Sequence, residues 1–296
     1  MRMNAFGKIL GIAVCGVIVA ISVWGWLQVP KMIEAQNAIF ESQPHYHACA
    51  EMGIHQETGE ACSWMLAHRT LSPEERAKVL IHRGVWYDRA GRYRDAIRDF
   101  DGVLAATDDK HALIALAALT DRSYAESMLG ETAKAWADAD RVVALAPDNI
   151  AGYEARSALH ERARQFALAA RDFDPVIRLK PDQAFGYNDR CWLRAIAGEL
   201  PGALADCNKA LALAPDYGAA LDSRAFVYFR MGDYAKAREE YDAAVAAGSK
   251  VAATFYMRGV TKLKVGGPND GKIDIMQAQS IDPGVAARFA AYGVRP

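Results

Sequence analysis

The phrase ALAPDN at residues 144–149 returns as RLKPDQ at 178–183, as ALAPDY at 212–217 and, in altered form, as SIDPGV at 280–285. The proline of this phrase recurs at intervals of 34, 34 and 68 residues, and it occupies Pro147, Pro181, Pro215 and Pro283. Self-similarity at a fixed period of about 20–50 residues indicates a row of alike structural units that stack on one another.

Other residue types keep the same register. Glycine recurs at Gly91, Gly130, Gly198, Gly232 and Gly266, with Arg164 at the position where one glycine is missing. Alanine follows five residues later, at Ala96, Ala135, Ala169, Ala203 and Ala237. Four residues further on stand Phe100, Phe173 and Tyr241. Glycine supplies the left-handed conformation that ends a helix, and proline stops the helix that precedes it. The pattern therefore predicts an all-α chain of antiparallel helix pairs.

This layout resembles the tetratricopeptide repeat family over about residues 77–284. The resemblance implies a right-handed superhelical solenoid (domain 77–285) of six units, followed by a capping helix at 286–296. We place the units at 77–110, 116–149, 150–183, 184–217, 218–251 and 252–285. The chain departs from the family pattern at Asp108 and Ser249, where proline is expected, and at Gly271, where alanine is expected.

In every unit an arginine precedes an acid by 16 residues. The pairs are Arg83–Asp99, Arg122–Asp138, Arg156–Asp172, Arg190–Asp206, Arg224–Glu240 and Arg258–Asp274. The turn lies midway between the two members, so antiparallel helices bring them to the same height. We interpret the pairs as internal salt bridges. The alternative is a row of arginines presented to an anionic ligand.

The family resemblance also implies where a ligand binds, namely on the first helices, which line the concave face. Carried over position by position, the candidate residues are Tyr124, Glu154, Phe185, Asn188, Trp192, Asp222, Phe226, Phe229, Arg230 and Tyr256. Aromatic residues dominate the middle units, and such a groove suits a peptide or helix with apolar anchors. The alternative is that individual rings pack against neighbouring helices.

The run ILGIAVCGVIVAISVWGWL at residues 9–27 is uncharged. A helix of about 20 apolar residues spans the hydrocarbon core of a bilayer. Arg2 and Lys8 precede the run, which predicts a cytoplasmic N-terminus with the remainder of the chain outside. We therefore predict a transmembrane helix within residues 1–30. A cleaved signal peptide is the main alternative, and a lipoprotein site at Cys15 is another.

A leader at 31–76 connects this segment to the repeats and ends in a helix-start signal, Ser72-Pro73-Glu74-Glu75. Cys49 and Cys62 lie in the leader, and Cys191 and Cys207 lie 16 residues apart within one repeat. Four cysteines beyond an export segment suit an oxidising compartment such as a bacterial periplasm.

Both cysteine pairs leave an alternative open. Cys49 and Cys62 form either a disulfide or a metal site together with His45, His47 and His55. Cys191 and Cys207 replace a small residue and an aromatic residue of the repeat pattern, and they form either a disulfide or two packed free thiols.

The formal net charge of −1 gives no electrostatic reason to expect a nucleic-acid partner. The chain carries no phosphate loop, no dinucleotide fingerprint and no nucleophile elbow. We therefore predict a non-catalytic scaffold, without cofactor or metal, that binds a protein or peptide. Its predicted location is the bacterial inner membrane, with a single membrane span and the repeats in the periplasm. The alternative function is a metal-binding or redox accessory protein that acts through the leader.

Overall fold

The computed structural model describes residues 48–49, 56–107 and 112–296. Within these ranges the chain is helical and contains no strand. The chain divides into two compact units between Ala118 and Leu119. The predicted anchor at 9–27, Cys15 and the histidines His45, His47 and His55 lie outside the described residues. Among the helices that are described, none is both long and apolar enough to cross a membrane.

The first compact unit contains helices α1 (Gln56–His68), α2 (Pro73–Arg89) and α3 (Tyr93–Ala106). Helix α1 packs against α2, and α2 packs against α3. The predicted helix start at Ser72 is present: the Ser72 hydroxyl accepts from the Glu75 amide, and the Glu75 carboxylate accepts from the Ser72 amide. This reciprocal cap satisfies two amides that an uncapped helix would leave unpaired.

Helix α4 (Ala112–Met128) crosses the division between the units. The second unit continues with ten further helices. They are α5 (Thr132–Leu145), α6 (Ile150–Arg162), α7 (Phe166–Leu179), α8 (Ala184–Ala197), α9 (Leu200–Leu213), α10 (Gly218–Met231), α11 (Tyr234–Ala246), α12 (Ala252–Lys264), α13 (Pro268–Ile281) and α14 (Val285–Ala291).

Each first helix ends one or two residues before the position that the sequence pattern singles out. The five recurring glycines all adopt a positive φ, from 72° at Gly91 to 90° at Gly198. Arg164, which replaces the missing glycine, is the one non-glycine residue with a positive φ among the described residues, at 59°. The 34-residue period is therefore a period of backbone conformation as well as of residue type.

The caps of the following first helices differ from expectation. The sequence suggests that Asp148, Asp182 and Asp216 cap the helices that follow them. The N-cap residues are instead Asn149, Gln183 and Tyr217, one position later. Only the Asn149 side chain makes a cap bond among these three, to the Ala151 amide at 3.0 Å.

Small residues bring the two helices of a unit into close contact. Ser123 and Ser157 donate their hydroxyls to the carbonyls of Ala135 and Ala169, at 2.8 and 3.0 Å. These four residues occupy the recurring small positions of two successive units. We call the contact between the two helices of one unit the helix seam. The serine hydroxyls bond backbone carbonyls at this seam, which an alanine or glycine at the same position could not do.

In the last unit two glycines meet at the same seam. A Cβ atom on Gly271 would lie 2.7 Å from the Gly259 carbonyl oxygen, and one on Gly259 would lie 2.6 Å from the Gly271 carbonyl oxygen. Gly271, a departure from the family pattern in sequence, is therefore required by the close approach of α12 and α13.

Candidate functional site

The first helices α8, α10 and α12 pack side by side in the second unit. We call the surface that they form the first-helix face. The predicted binding residues of this face differ widely in exposure. Phe185, Trp192, Asp222, Phe229 and Arg230 are partly buried, as is Glu154 on the preceding first helix. Asn188, Phe226 and Tyr256 are buried, whereas Tyr124, on α4, is exposed.

The C-terminal helix α14 explains the burial of the two aromatic rings. Phe289 of α14 stacks on Tyr256, with ring centroids 5.4 Å apart, and contacts Phe226 at 6.1 Å. Tyr292 follows α14 and contacts Trp192 at 6.1 Å and Phe166 at 5.9 Å. The chain's own C-terminal helix covers the rings of Phe226 and Tyr256, as the alternative of rings packed against neighbouring helices describes.

Two arginines hold the backbone at the end of α14. Arg230 donates to the Tyr292 carbonyl at 3.5 Å, and Arg164 donates to the Ala291 carbonyl. Arg164 belongs to the left-handed turn of the third repeat unit, and α14 follows the sixth. The segment at 286–296 is predicted to cover the last apolar face. It extends further, because it reaches back across the first-helix face.

The uncovered part of this face contains a cavity of about 540 Å³. Its lining includes Asn188, Asp189, Trp192, Tyr217, Asp222 and Thr254, and we call it the acidic cavity. One side is closed by four residues of the loop that follows α11, namely Ala247, Gly248, Ser249 and Val251. Among the described residues that line the cavity, none is lysine, arginine or histidine.

The electrostatics of the acidic cavity differ from those of an exposed acidic patch. Burial raises the pKa of Asp222 to about 6, and a Thr254 hydroxyl bond opposes that shift. Burial also raises the pKa of Asp189. The pKa values of Glu154 and Glu161 on α6 are raised by burial and, in addition, by the charge of Asp189. Several acids therefore share one region without a neutralising base in the cavity wall.

The structure brings together all six predicted arginine–acid pairs. The closest nitrogen–oxygen distances are 2.7 Å for Arg83–Asp99, 2.7 Å for Arg122–Asp138, 2.6 Å for Arg156–Asp172, 2.6 Å for Arg190–Asp206, 2.6 Å for Arg224–Glu240 and 2.7 Å for Arg258–Asp274. The five aspartates are buried, and each accepts from two nitrogens of its arginine. Such forked pairs are stronger than single charge-assisted bonds.

Three of these arginines also form a second ion pair, with an aspartate of the preceding repeat unit. Arg156, Arg190 and Arg258 reach Asp140, Asp174 and Asp242, at 3.3, 2.6 and 3.3 Å. Each of these acids lies 16 residues before its arginine, in the preceding unit. Sequence analysis missed this second link, although the same 16-residue spacing that identified the first pairs would have found it.

Two disulfides are present, between Cys49 and Cys62 and between Cys191 and Cys207, with Cα separations of 4.8 and 5.4 Å. Both thiols of the candidate metal site are therefore bonded to each other. In the part of the chain that the structure describes, no group of three or more His, Cys, Asp or Glu side chains is placed to hold a metal ion. The histidines of that candidate site fall outside this part.

No protein-family model matches the chain, and no curated protein matches its sequence. Solved structures match its fold. A tetratricopeptide repeat protein from Parabacteroides merdae is 20% identical with a TM-score of 0.62, and the match covers 76% of this chain and 86% of that protein. PilW, a type IV pilus biogenesis factor, is 17% identical with a TM-score of 0.58, covering 70% and 94%. PilF from Pseudomonas aeruginosa is 15% identical with a TM-score of 0.56, covering 75% and 99%.

Proposed function

We propose that this chain, which has the tetratricopeptide repeat fold, is a non-catalytic scaffold that holds a segment of a partner protein on its first-helix face. The partner segment lies beside α14 and over the acidic cavity. Fold alone does not identify a function, so the argument depends on the chemistry of this face.

The observation that carries the proposal is the position of α14. A short helical segment with aromatic anchors, Phe289 and Tyr292, already lies on the face and inserts its rings among Trp192, Phe226 and Tyr256. Helical segments with aromatic anchors are a recurring class of ligand for apolar grooves. The face therefore has the chemistry to receive such a segment from another chain in the area that α14 leaves open.

Site-specific photo-crosslinking in the cell that produces the protein tests the proposal. A photoreactive residue at Val251, which lines the acidic cavity and is 59% exposed, is compared with one at Ile273 on α13, which is 61% exposed. The expected result is a discrete adduct from position 251 and none from position 273. Equal labelling from both positions, or no adduct from 251, contradicts the proposal.

We further propose that the repeats lie in the periplasm and are tethered to the inner membrane through residues 9–27. Two disulfides support an oxidising compartment, because the cytosol keeps thiols reduced. The uncharged run at 9–27 supports the tether. Intact mass of the protein isolated from membranes distinguishes an uncleaved anchor from a removed signal peptide. Isolation of the full-length protein with free cysteines after alkylation under non-reducing conditions contradicts the assigned compartment.

A further inference from the structure

Two hydrogen-bond acceptors of the acidic cavity have no partner. The Asn188 side-chain nitrogen donates to Asp189 at 2.9 Å, but its oxygen is enclosed and unpaired, and the residue is only 6% exposed. The Oδ1 atom of Asp222 is likewise enclosed without a hydrogen-bond partner. Buried acceptors are nearly always paired, and each one that is not costs stability. A ligand that donates hydrogen bonds would satisfy both.

The charge of the cavity identifies the kind of donor. Asp189 and Asp222 line it, and no basic side chain does so among its described lining residues. Elsewhere in the second unit, buried acids are accompanied by arginine, as Asp206 is by Arg190 and Arg194. The cavity therefore has the acceptors of an ion pair without the cation.

The walls of the cavity suit a flat or extended cation. Trp192 and Tyr217 present aromatic surface beside the two acids. Aromatic faces attract lysine and arginine head groups in addition to the attraction of the carboxylates. A volume of about 540 Å³ is large enough for a long side chain together with water.

We propose that the acidic cavity binds the positively charged side chain of a lysine or arginine, donating to Asn188 and Asp222. This inference rests on the proposed function, since the cation would belong to the bound segment of the partner. It adds a chemical requirement that the proposed function lacks: the partner must carry a basic residue where it crosses the cavity.

The test uses small probes and the full chain. Nα-acetyl-arginine amide, Nα-acetyl-lysine amide and Nα-acetyl-citrulline amide are titrated separately against the protein by calorimetry or by NMR. Citrulline has nearly the shape of arginine without its charge. We expect saturable binding of at least one cationic probe and at least tenfold weaker binding of citrulline. Equal binding of all three probes, or binding of none, overturns the inference.

Two variants place the binding in the cavity. Asp222→Asn is expected to lower the affinity for the cationic probe at least tenfold. Asp148→Asn removes the same charge from an exposed turn outside the cavity and should change affinity less than twofold. Loss of binding in Asp222→Asn together with a lowered melting temperature would assign Asp222 a structural role and overturn the inference. An unchanged affinity in Asp222→Asn overturns it as well.

The two proposals fail separately. If the crosslink from position 251 forms and persists in Asp222→Asn while no probe binds, the partner is held without a cation and only this inference fails. If the probes bind but no crosslink forms, the cation site stands and the scaffold proposal fails.

Discussion

Carboxylates at the helix seam of each unit are paired with arginine, whereas those in the acidic cavity have no basic partner among the described lining residues. At the seam, the two oxygens of Asp206 accept from Arg190 and Arg194, at 2.6–2.8 Å. In the cavity, Asp222 has an enclosed oxygen that accepts from nothing. Both acids belong to the same compact unit, and their helices α9 and α10 are consecutive.

The seam carboxylates stabilise the folded state, whereas the carboxylate in the cavity destabilises it. Removing one member of a buried pair leaves the other uncompensated and destabilises the protein. Removing an enclosed carboxylate that has no basic partner relieves a desolvation cost, so the protein should become more stable. Proteins retain such destabilising acidic groups where binding or catalysis requires them. The sign of a stability change therefore distinguishes the two regions.

The largest effect is expected at the seam of the first unit. Asp99 accepts two bonds from Arg83, both at 2.7 Å, and is buried. We expect Asp99→Ala to lower the free energy of unfolding by about 3–5 kcal/mol, because Arg83 would lose its carboxylate in a partly buried site. Urea unfolding followed by circular dichroism measures the change.

A control on the same helix sharpens this prediction. Asp95 pairs with Arg92 and Arg98 on the exposed side of α3. Asp95→Ala should cost only about 0–1 kcal/mol, as for other surface pairs. A double-mutant cycle of Arg83→Ala and Asp99→Ala should give a clear coupling energy. Additive effects of the two changes would contradict a direct pair.

A smaller effect of opposite sign is expected at Asp222. Its pKa is raised from an ordinary value of 3.8 to about 6, so the folded state binds the proton more tightly than the unfolded state does. The protonated form of Asp222 therefore favours the folded state, and this contribution to the free energy of unfolding is lost as the pH rises from about 4 to about 6. Asp222→Asn lacks this loss and should be more stable than the wild type by about 3 kcal/mol at pH 7.

The comparison of unfolding at pH 4 and pH 7 tests this sign. Other titratable groups also act on this region. They are Asp189 and Tyr217 in the cavity wall, Tyr241, which is coupled to Asp222, and Glu154 and Glu161, which are coupled to Asp189. They are present in both proteins, so the difference between wild type and variant isolates Asp222. Asp148→Asn should show no comparable pH-dependent gain. If the Asp222→Asn variant is less stable than the wild type at pH 7, Asp222 stabilises the fold as the seam carboxylates do, and the prediction is contradicted.

The repeat made the helix pairs and the seam predictable from sequence. A turn midway between Arg190 and Asp206 fixes their relative height once the helices are antiparallel, and no knowledge of distant residues is needed. The same reasoning applies to Cys191 and Cys207, which share the 16-residue spacing and form a disulfide. Contacts that repeat with the period can be inferred from one unit and checked in the next.

The covered part of the first-helix face could not be predicted in this way. Helix α14 lies outside the repeat, so no period places Phe289 on Tyr256 or the Ala291 carbonyl at Arg164. The acidic cavity was also beyond the sequence pattern. Asn188 and Asp222 were candidates by position, but their unpaired oxygens depend on which neighbours fail to reach them. Absence of a partner leaves no mark in the sequence.

The smallest expected effect concerns the one seam pair that resembles the cavity. Glu240 replaces the aspartate of the other units, and only one bond joins it to Arg224, at 2.6 Å. The Arg224 Nε atom and the second Glu240 oxygen are enclosed without partners. In the sixth unit, Arg258 instead binds both oxygens of Asp274, at 2.7 Å each.

Glu240→Asp should restore the forked pair and raise stability by less than about 1 kcal/mol, because the shorter acid allows both arginine nitrogens to bind. Asp274→Glu makes the reverse change in the sixth unit and should lower stability. Thermal unfolding of the two variants beside the wild type measures both shifts. Opposite signs would show that the length of the acid sets the geometry of the seam. Shifts in the same direction would mean that the unpaired atoms at Arg224 and Glu240 arise from local packing, and the seam would then be less uniform than its period suggests.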